Sequence, residues 1–184
     1  MMKKMKSMFV IVITLMMAMS TVSFANANYC GSSTPVYLFY SYYLDDYFLT
    51  ASEAERASLE RDYMNGTQTY ELLGVLGYGE AYATDTNVPV YRFWNKDTTD
   101  HFYTTSYTEK TQTEANYSIG RDGYKYEGVA FYVPAYGYSA VYRFFNTATF
   151  SHAYITDESV KNDLILDSEC GYGSWRYEGV AWYW

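Results

Sequence analysis

The only two histidines of the chain, His101 and His152, stand at equivalent places in two copies of one motif. Upstream of each lie an arginine and an asparagine: Arg92 and Asn95 within Val90-Tyr91-Arg92-Phe93-Trp94-Asn95, Arg143 and Asn146 within Val141-Tyr142-Arg143-Phe144-Phe145-Asn146. Imidazole, guanidinium and carboxamide on an aromatic frame are what a glycan site needs. Planar rings stack on the apolar face of a sugar, and a few placed donors and acceptors fix its hydroxyls. The same trio can instead serve the fold, as a hydrogen-bond set for the hairpin turn and the neighbouring repeat. Glu127 and Glu178, in the repeated Tyr-Glu-Gly, are poorly suited to glycoside hydrolysis, which needs two carboxylates facing one bond across a fixed gap. Pairing of these glutamates with Arg92 and Arg143 is the expectation, with the following glycine giving the strand a bulge or a close approach.

No zinc spacing, nucleophile elbow, phosphate loop or nucleotide fingerprint occurs, so neither metal nor cofactor is expected. Calcium could gather only around Asp97 and Asp100 or Asp45 and Asp46, which lack the calcium-loop spacing and read as solvated acidic turns.

The motifs recur because the whole chain repeats. A third, worn copy of the first run reads Val36-Tyr37-Leu38-Phe39-Tyr40-Ser41, giving repeats over about 35–85, 88–136 and 139–184. In each copy an alternating, aromatic and β-branched run predicts a strand, and a polar turn leads to a second aromatic run, so the two form an antiparallel hairpin. Ser52, Ser106 and Asp157 then fall at one repeat position as helix N-caps, with Glu55 and Glu109 as capping-box partners of the two serines. The first helix should run from Glu53 to about Met64. Thr108, Thr111 and Thr113 predict a short or irregular second helix. Glycines break the chain before a closing strand, Tyr126–Tyr132 in the second copy and Tyr177–Tyr183 in the third.

The fold class is therefore β-rich α+β: three strand-strand-helix-strand repeats. One copy is too small to bury both its sheet and its helix, which favours a closed pseudo-threefold ring, either propeller-like or trefoil-like.

The N-terminus reads as a secretory signal over residues 1–27. It has a basic start (Lys3, Lys4, Lys6), an apolar stretch from Met8 to Met19 and a small-residue cleavage site at Ala25-Asn26-Ala27. The expectation is a released, extracellular single domain over 28–184. In that compartment Cys30 and Cys170 would form one disulfide, joining the beginning of the repeats to their end. The formal charge of −8, made more acidic by loss of three signal-peptide lysines, disfavours nucleic acid and anionic membranes as partners.

VYRFWN, DHFYTTS and YEGVAFYV together resemble a tyrosine-rich repeat family of unknown function found in secreted bacterial proteins, often attached to cell-wall-active or hydrolytic domains. The first copy departs from it at Leu38, Ser41 and Tyr47. The resemblance implies an extracellular accessory module attaching to surfaces or glycans and brings no established activity with it. The 24 tyrosines exceed what a core of this size requires, and the surplus points to a recognition surface. The leading expectation is a secreted, non-catalytic module that binds cell-wall or cell-surface polysaccharide. A structural or protein-interaction module docking another secreted protein is the alternative, and a glycan hydrolase comes third.

Overall fold

The computed structural model describes residues 33–184. Residues 1–27, read above as a signal, and Cys30 lie outside the described residues, and with Cys30 the expected Cys30–Cys170 disulfide; Cys170 itself is exposed at the end of a helix.

Each repeat is a three-stranded antiparallel sheet with one helix. Unit 1 comprises β1 (Thr34–Ser41), β2 (Asp46–Thr50), α1 (Glu53–Met64) and β3 (Tyr70–Gly79). Unit 2 comprises β4 (Asn87–Asn95), β5 (Asp100–Thr104), α2 (Tyr107–Ser118) and β6 (Tyr124–Pro134). Unit 3 comprises β7 (Ala140–Asn146), β8 (His152–Ile155), α3 (Glu158–Glu169) and β9 (Trp175–Tyr183). The first strand of every unit is central, flanked by its hairpin partner and by the closing strand, in the orders β2-β1-β3, β5-β4-β6 and β8-β7-β9.

The hairpins turn through a residue with positive φ, Asp45, Thr99 or Phe150. In units 2 and 3 the turn is shaped by the asparagine ending the first strand: the carboxamide oxygens of Asn95 and Asn146 accept from the backbone N–H of Asp97 and Ala148, both at 3.0 Å. Such side-chain turns are a standard use of asparagine. Beside the central strand the closing strands bulge, with register shifts around Arg92/Phe93 and Arg143/Phe144. Gly128 and Gly179 supply the required backbone at φ 122° and 118°.

All three capping residues do what their positions predict. Ser52 and Ser106 accept from the backbone N–H of Glu55 and Glu109, and Asp157 accepts from those of Ser159 and Val160. The second helix corrects the sequence expectation, because Tyr107–Ser118 is a full twelve residues despite its threonines. Tertiary anchors outweigh propensity there. Glu109 is tied to Thr104 and Arg143, and the Lys110 ammonium lies 4.9 Å from the centre of the Tyr126 ring. α1 and α2 bury no residue of their own, whereas α3 buries Val160 and Leu164. Among the described residues no helix is long and apolar enough to cross a membrane.

The inner strands β2, β5 and β8 touch one another pairwise. Their tyrosines and leucines join Val36, Val90, Val141 and Trp182 in one hydrophobic cluster.

Candidate functional site

The sequence-predicted site residues converge on the seams between units. At the seam of units 1 and 2, the Asp46 carboxylate is fully buried and accepts from three directions: the His101 backbone N–H at 2.8 Å, the His101 ring Nδ1 at 2.5 Å and the Tyr70 hydroxyl at 2.5 Å. Burial pushes the Asp46 carboxyl up and the adjacent imidazole opposes it. The seam of units 2 and 3 repeats this with Asp100, the His152 backbone at 2.7 Å, its Nδ1 at 2.5 Å and the Tyr124 hydroxyl at 2.6 Å. The second ring nitrogen of each histidine lies toward a glutamate, 3.8 Å from Glu127 and 3.6 Å from Glu178. Each imidazole is thus held between two carboxylates and serves cohesion.

Outside each histidine sits an arginine fork. Arg92 donates to Glu127 of its own unit at 2.9 Å and to Glu55 at the start of α1 at 3.0 Å, with its guanidinium 4.8 Å from the centre of the Phe48 ring. Arg143 does the same with Glu178 at 2.9 Å, Glu109 at 2.8 Å and Phe102. Burial alone would raise Glu55 and Glu109, but hydrogen bonds from the arginine and from Thr50 or Thr104 hold both carboxyls below their ordinary value. Innermost is a tyrosine. The Tyr103 hydroxyl accepts from the backbone N–H of Leu49 at 2.8 Å and donates to its C=O at 3.2 Å, while Tyr154 does the same to Tyr103 at 2.6 and 3.1 Å. Buried backbone groups need partners, and here the neighbouring unit supplies them to an edge strand.

The seam of units 3 and 1 is built from different chemistry. Leu38 stands in the arginine position, Val160 in the helix-glutamate position, Leu73 in the Tyr-Glu-Gly position, Tyr47 for histidine, Ser151 for aspartate and Leu49 for the bridging tyrosine. Leu38, Tyr47, Leu49 and Val160 belong to one apolar cluster with Leu73 packed against it, and the Ser151 hydroxyl, bonded to that of Thr149 at 2.8 Å, reaches across the seam only by a long contact, 3.4 Å, to Asp45. A buried arginine fork needs its carboxylates, and this seam lacks both the arginine and the two glutamates.

His101, His152, Arg92 and Arg143 are therefore brought together with glutamates inside two seams, whereas Asn95 and Asn146 stand apart at the hairpin turns. The acidic turns correct the expectation of solvated side chains at Asp46 and Asp100, both fully buried. Among the described residues no acid, histidine and cysteine cluster of metal-binding size occurs. Sequence reasoning weighed Asp46 and Asp100 only as calcium ligands or solvated turns, and passed over Tyr103 and Tyr154. Repeat position was the available signal for the two tyrosines, which match each other and face leucine in the worn copy.

A second arrangement lies on the helix-bearing face of the sheets. In unit 2 the Tyr91 and Tyr126 rings are 6.2 Å apart at 61°, with Tyr132 further along β6 and Val129 exposed beside Tyr91. Unit 3 repeats it with Tyr142 and Tyr177, 6.3 Å apart at 60°, then Tyr183 and exposed Val180. A lysine from the helix caps each row: Lys110 over Tyr126 and paired with Glu114 at 2.7 Å, Lys161 at 4.8 Å over Tyr142 and paired with Glu158 at 3.1 Å. Unit 1 keeps Tyr37, Tyr78 and the cation, Arg56 over Tyr37, but has Leu72 in the middle.

These features define a repeat protein with two buried polar seams, one apolar seam and an aromatic row on two of its three units. Its sequence matches the DUF5648 family, a domain of unknown function, twice, over residues 17–118 and 60–184, and the chain belongs to that family. The overlapping matches, offset by about one unit, agree with the repeats seen in the fold. No curated protein and no solved structure matches the chain.

Proposed function

We propose that the protein is an exported, non-catalytic recognition module that binds carbohydrate of a cell wall or cell surface. The observation that carries this reading is the tyrosine row, formed twice on strands that need no such side chains for their own pairing. Half-exposed tyrosines present ring faces and edges to the apolar face of a sugar and hydroxyls to its hydroxyls. The ligand contacts are assigned to these rows rather than to His101, His152, Arg92 and Arg143, which are bonded to carboxylates within the seams, or to Asn95 and Asn146, whose carboxamide oxygens shape the hairpin turns.

A closed arrangement of the three units about a pseudo-threefold axis belongs to the same proposal. The pairwise contacts of β2, β5 and β8 support it, and it would turn the rows outward from one rigid body. A second reading, docking of another exported protein, is favoured by a different surface: Tyr42, Tyr43, Tyr63 and Met64 of unit 1 are all exposed, Tyr43 to 84 %.

Sedimentation of the mature protein with purified peptidoglycan and insoluble polysaccharides tests the first reading, which requires retention on at least one of them. Retention on none, with capture of a defined protein from culture supernatant through the Tyr42 and Tyr43 surface, would replace it by the second.

A further inference from the structure

We infer that the carbohydrate site is present twice, centred on Tyr126 in unit 2 and Tyr177 in unit 3, that it takes an uncharged glycan, and that unit 1 is blank because Leu72 occupies the same position. This rests on the recognition reading above and specifies where the ligand sits and what charge it carries.

The three positions are equivalent by register, not only by alignment: Leu72, Tyr126 and Tyr177 lie opposite Phe39, Phe93 and Phe144 of the central strands. Each tyrosine packs against the phenylalanine below it, with ring centres 5.2 Å apart in unit 2 and 5.1 Å in unit 3. That buried partner fixes the ring at the middle of the row. From there it pairs with the ring of Tyr91 or Tyr142, and Tyr132 or Tyr183 extends the aromatic strip further along the closing strand. In unit 3 the strip is open, with Tyr177 38 % and Tyr183 42 % exposed. With leucine in the middle, unit 1 leaves Tyr37 and Tyr78 as separate rings.

The charge assignment comes from the cations at the rows. Lys110 and Lys161 are each neutralised by a helix carboxylate and further shielded by rings, and Arg56 of unit 1 is held by Glu53 and Glu60. Among the described residues no row-side cation is left over to pair with a carboxylate or phosphate of the ligand, and a chain of net charge −8 repels a polyanion. Ring stacking and neutral hydrogen bonds remain, and these are insensitive to salt.

Unit 1 also provides the control. It forms the same sheet, bulged register and helix with Leu72 in place, so Tyr126→Leu and Tyr177→Leu replace a residue by one the architecture already accommodates. The experiment is sedimentation of the mature protein with insoluble cellulose, chitin and cross-linked polygalacturonate at low and high salt, alongside a thermal melt of each variant. Wild type should bind an uncharged polymer with less than about twofold change on adding salt. Each single variant should lose about tenfold by forfeiting the second contact, and the double variant should lose about a hundredfold or more, while Leu72→Tyr should tighten binding. Undiminished binding by a folded double variant, or binding only to polygalacturonate with strong salt dependence, overturns the inference and leaves the recognition reading standing. If wild type binds none of the polymers, nor peptidoglycan, the recognition reading itself falls and takes the inference with it.

Discussion

Tyr103→Phe removes one oxygen atom from the seam of units 1 and 2 and changes almost nothing else. The hydroxyl it deletes satisfies both the N–H and the C=O of Leu49, a residue with no exposure to solvent. Each buried backbone group left without a partner costs about 1–3 kcal/mol. With two such groups the variant should therefore lose about 2–6 kcal/mol, a large part of the roughly 5–15 kcal/mol that holds a domain together. Urea unfolding followed by tryptophan fluorescence measures it. At a slope near 1.5 kcal/mol per molar the midpoint should fall by roughly 1–4 M with the slope unchanged. Tyr154→Phe should behave alike, since its hydroxyl makes the same two bonds to Tyr103. A midpoint shift below about 0.3 M in both variants would refute the reasoning, because it would mean that water replaces the bridging oxygen and that these seams are not closed to solvent.

His152→Ala should lower stability by about 3 kcal/mol, since it leaves the buried Asp100 carboxylate without its imidazole; a thermal melt of the purified variant reads it, and an unchanged midpoint would show that the pair contributes nothing. Glu55 and Glu109 have carboxyls lowered in the folded protein, so their contribution is present above the ordinary carboxylate range and is lost as pH falls through their lowered values. Urea midpoints across pH should accordingly drop below about pH 4, and Glu109→Gln should flatten that drop. Ser106→Ala should cost about 1 kcal/mol through loss of the bond to the Glu109 N–H, measured in the same unfolding assay.

What was legible in the sequence was local. A cap and its partner lie three residues apart, a hairpin turn is written in five residues, and the alternation of a strand is visible within it. Ser52, Ser106 and Asp157 could therefore be placed without coordinates, whereas the Arg92–Glu127 and Arg143–Glu178 pairs, each 35 residues apart, were reached only through the repetition of their motifs. The bond from Asp46 to His101 spans 55 residues, and nothing in either motif says which face of the next unit it meets. For the same reason the histidines looked available to a ligand: their partners are supplied by another copy of the repeat. The second helix was underestimated because its threonines were weighed alone, without the anchors that Arg143 and Tyr126 bring from outside the segment.

The two kinds of seam also constrain how such a chain can grow. Unit 2 presents Asp100 and Glu109 on one side and His101 and Arg92 on the other, so it is the one unit whose outgoing face would fit a copy of itself. A gene duplication inserting a second unit 2 would match every face it created. Duplicating unit 1 would set Glu55 against Leu38, and duplicating unit 3 would set Val160 against Arg143, stranding a charge in either case. Lengthening within this lineage is thus expected through the middle repeat, with the Leu38 and Val160 halves of the apolar seam kept at the two ends as a matched pair.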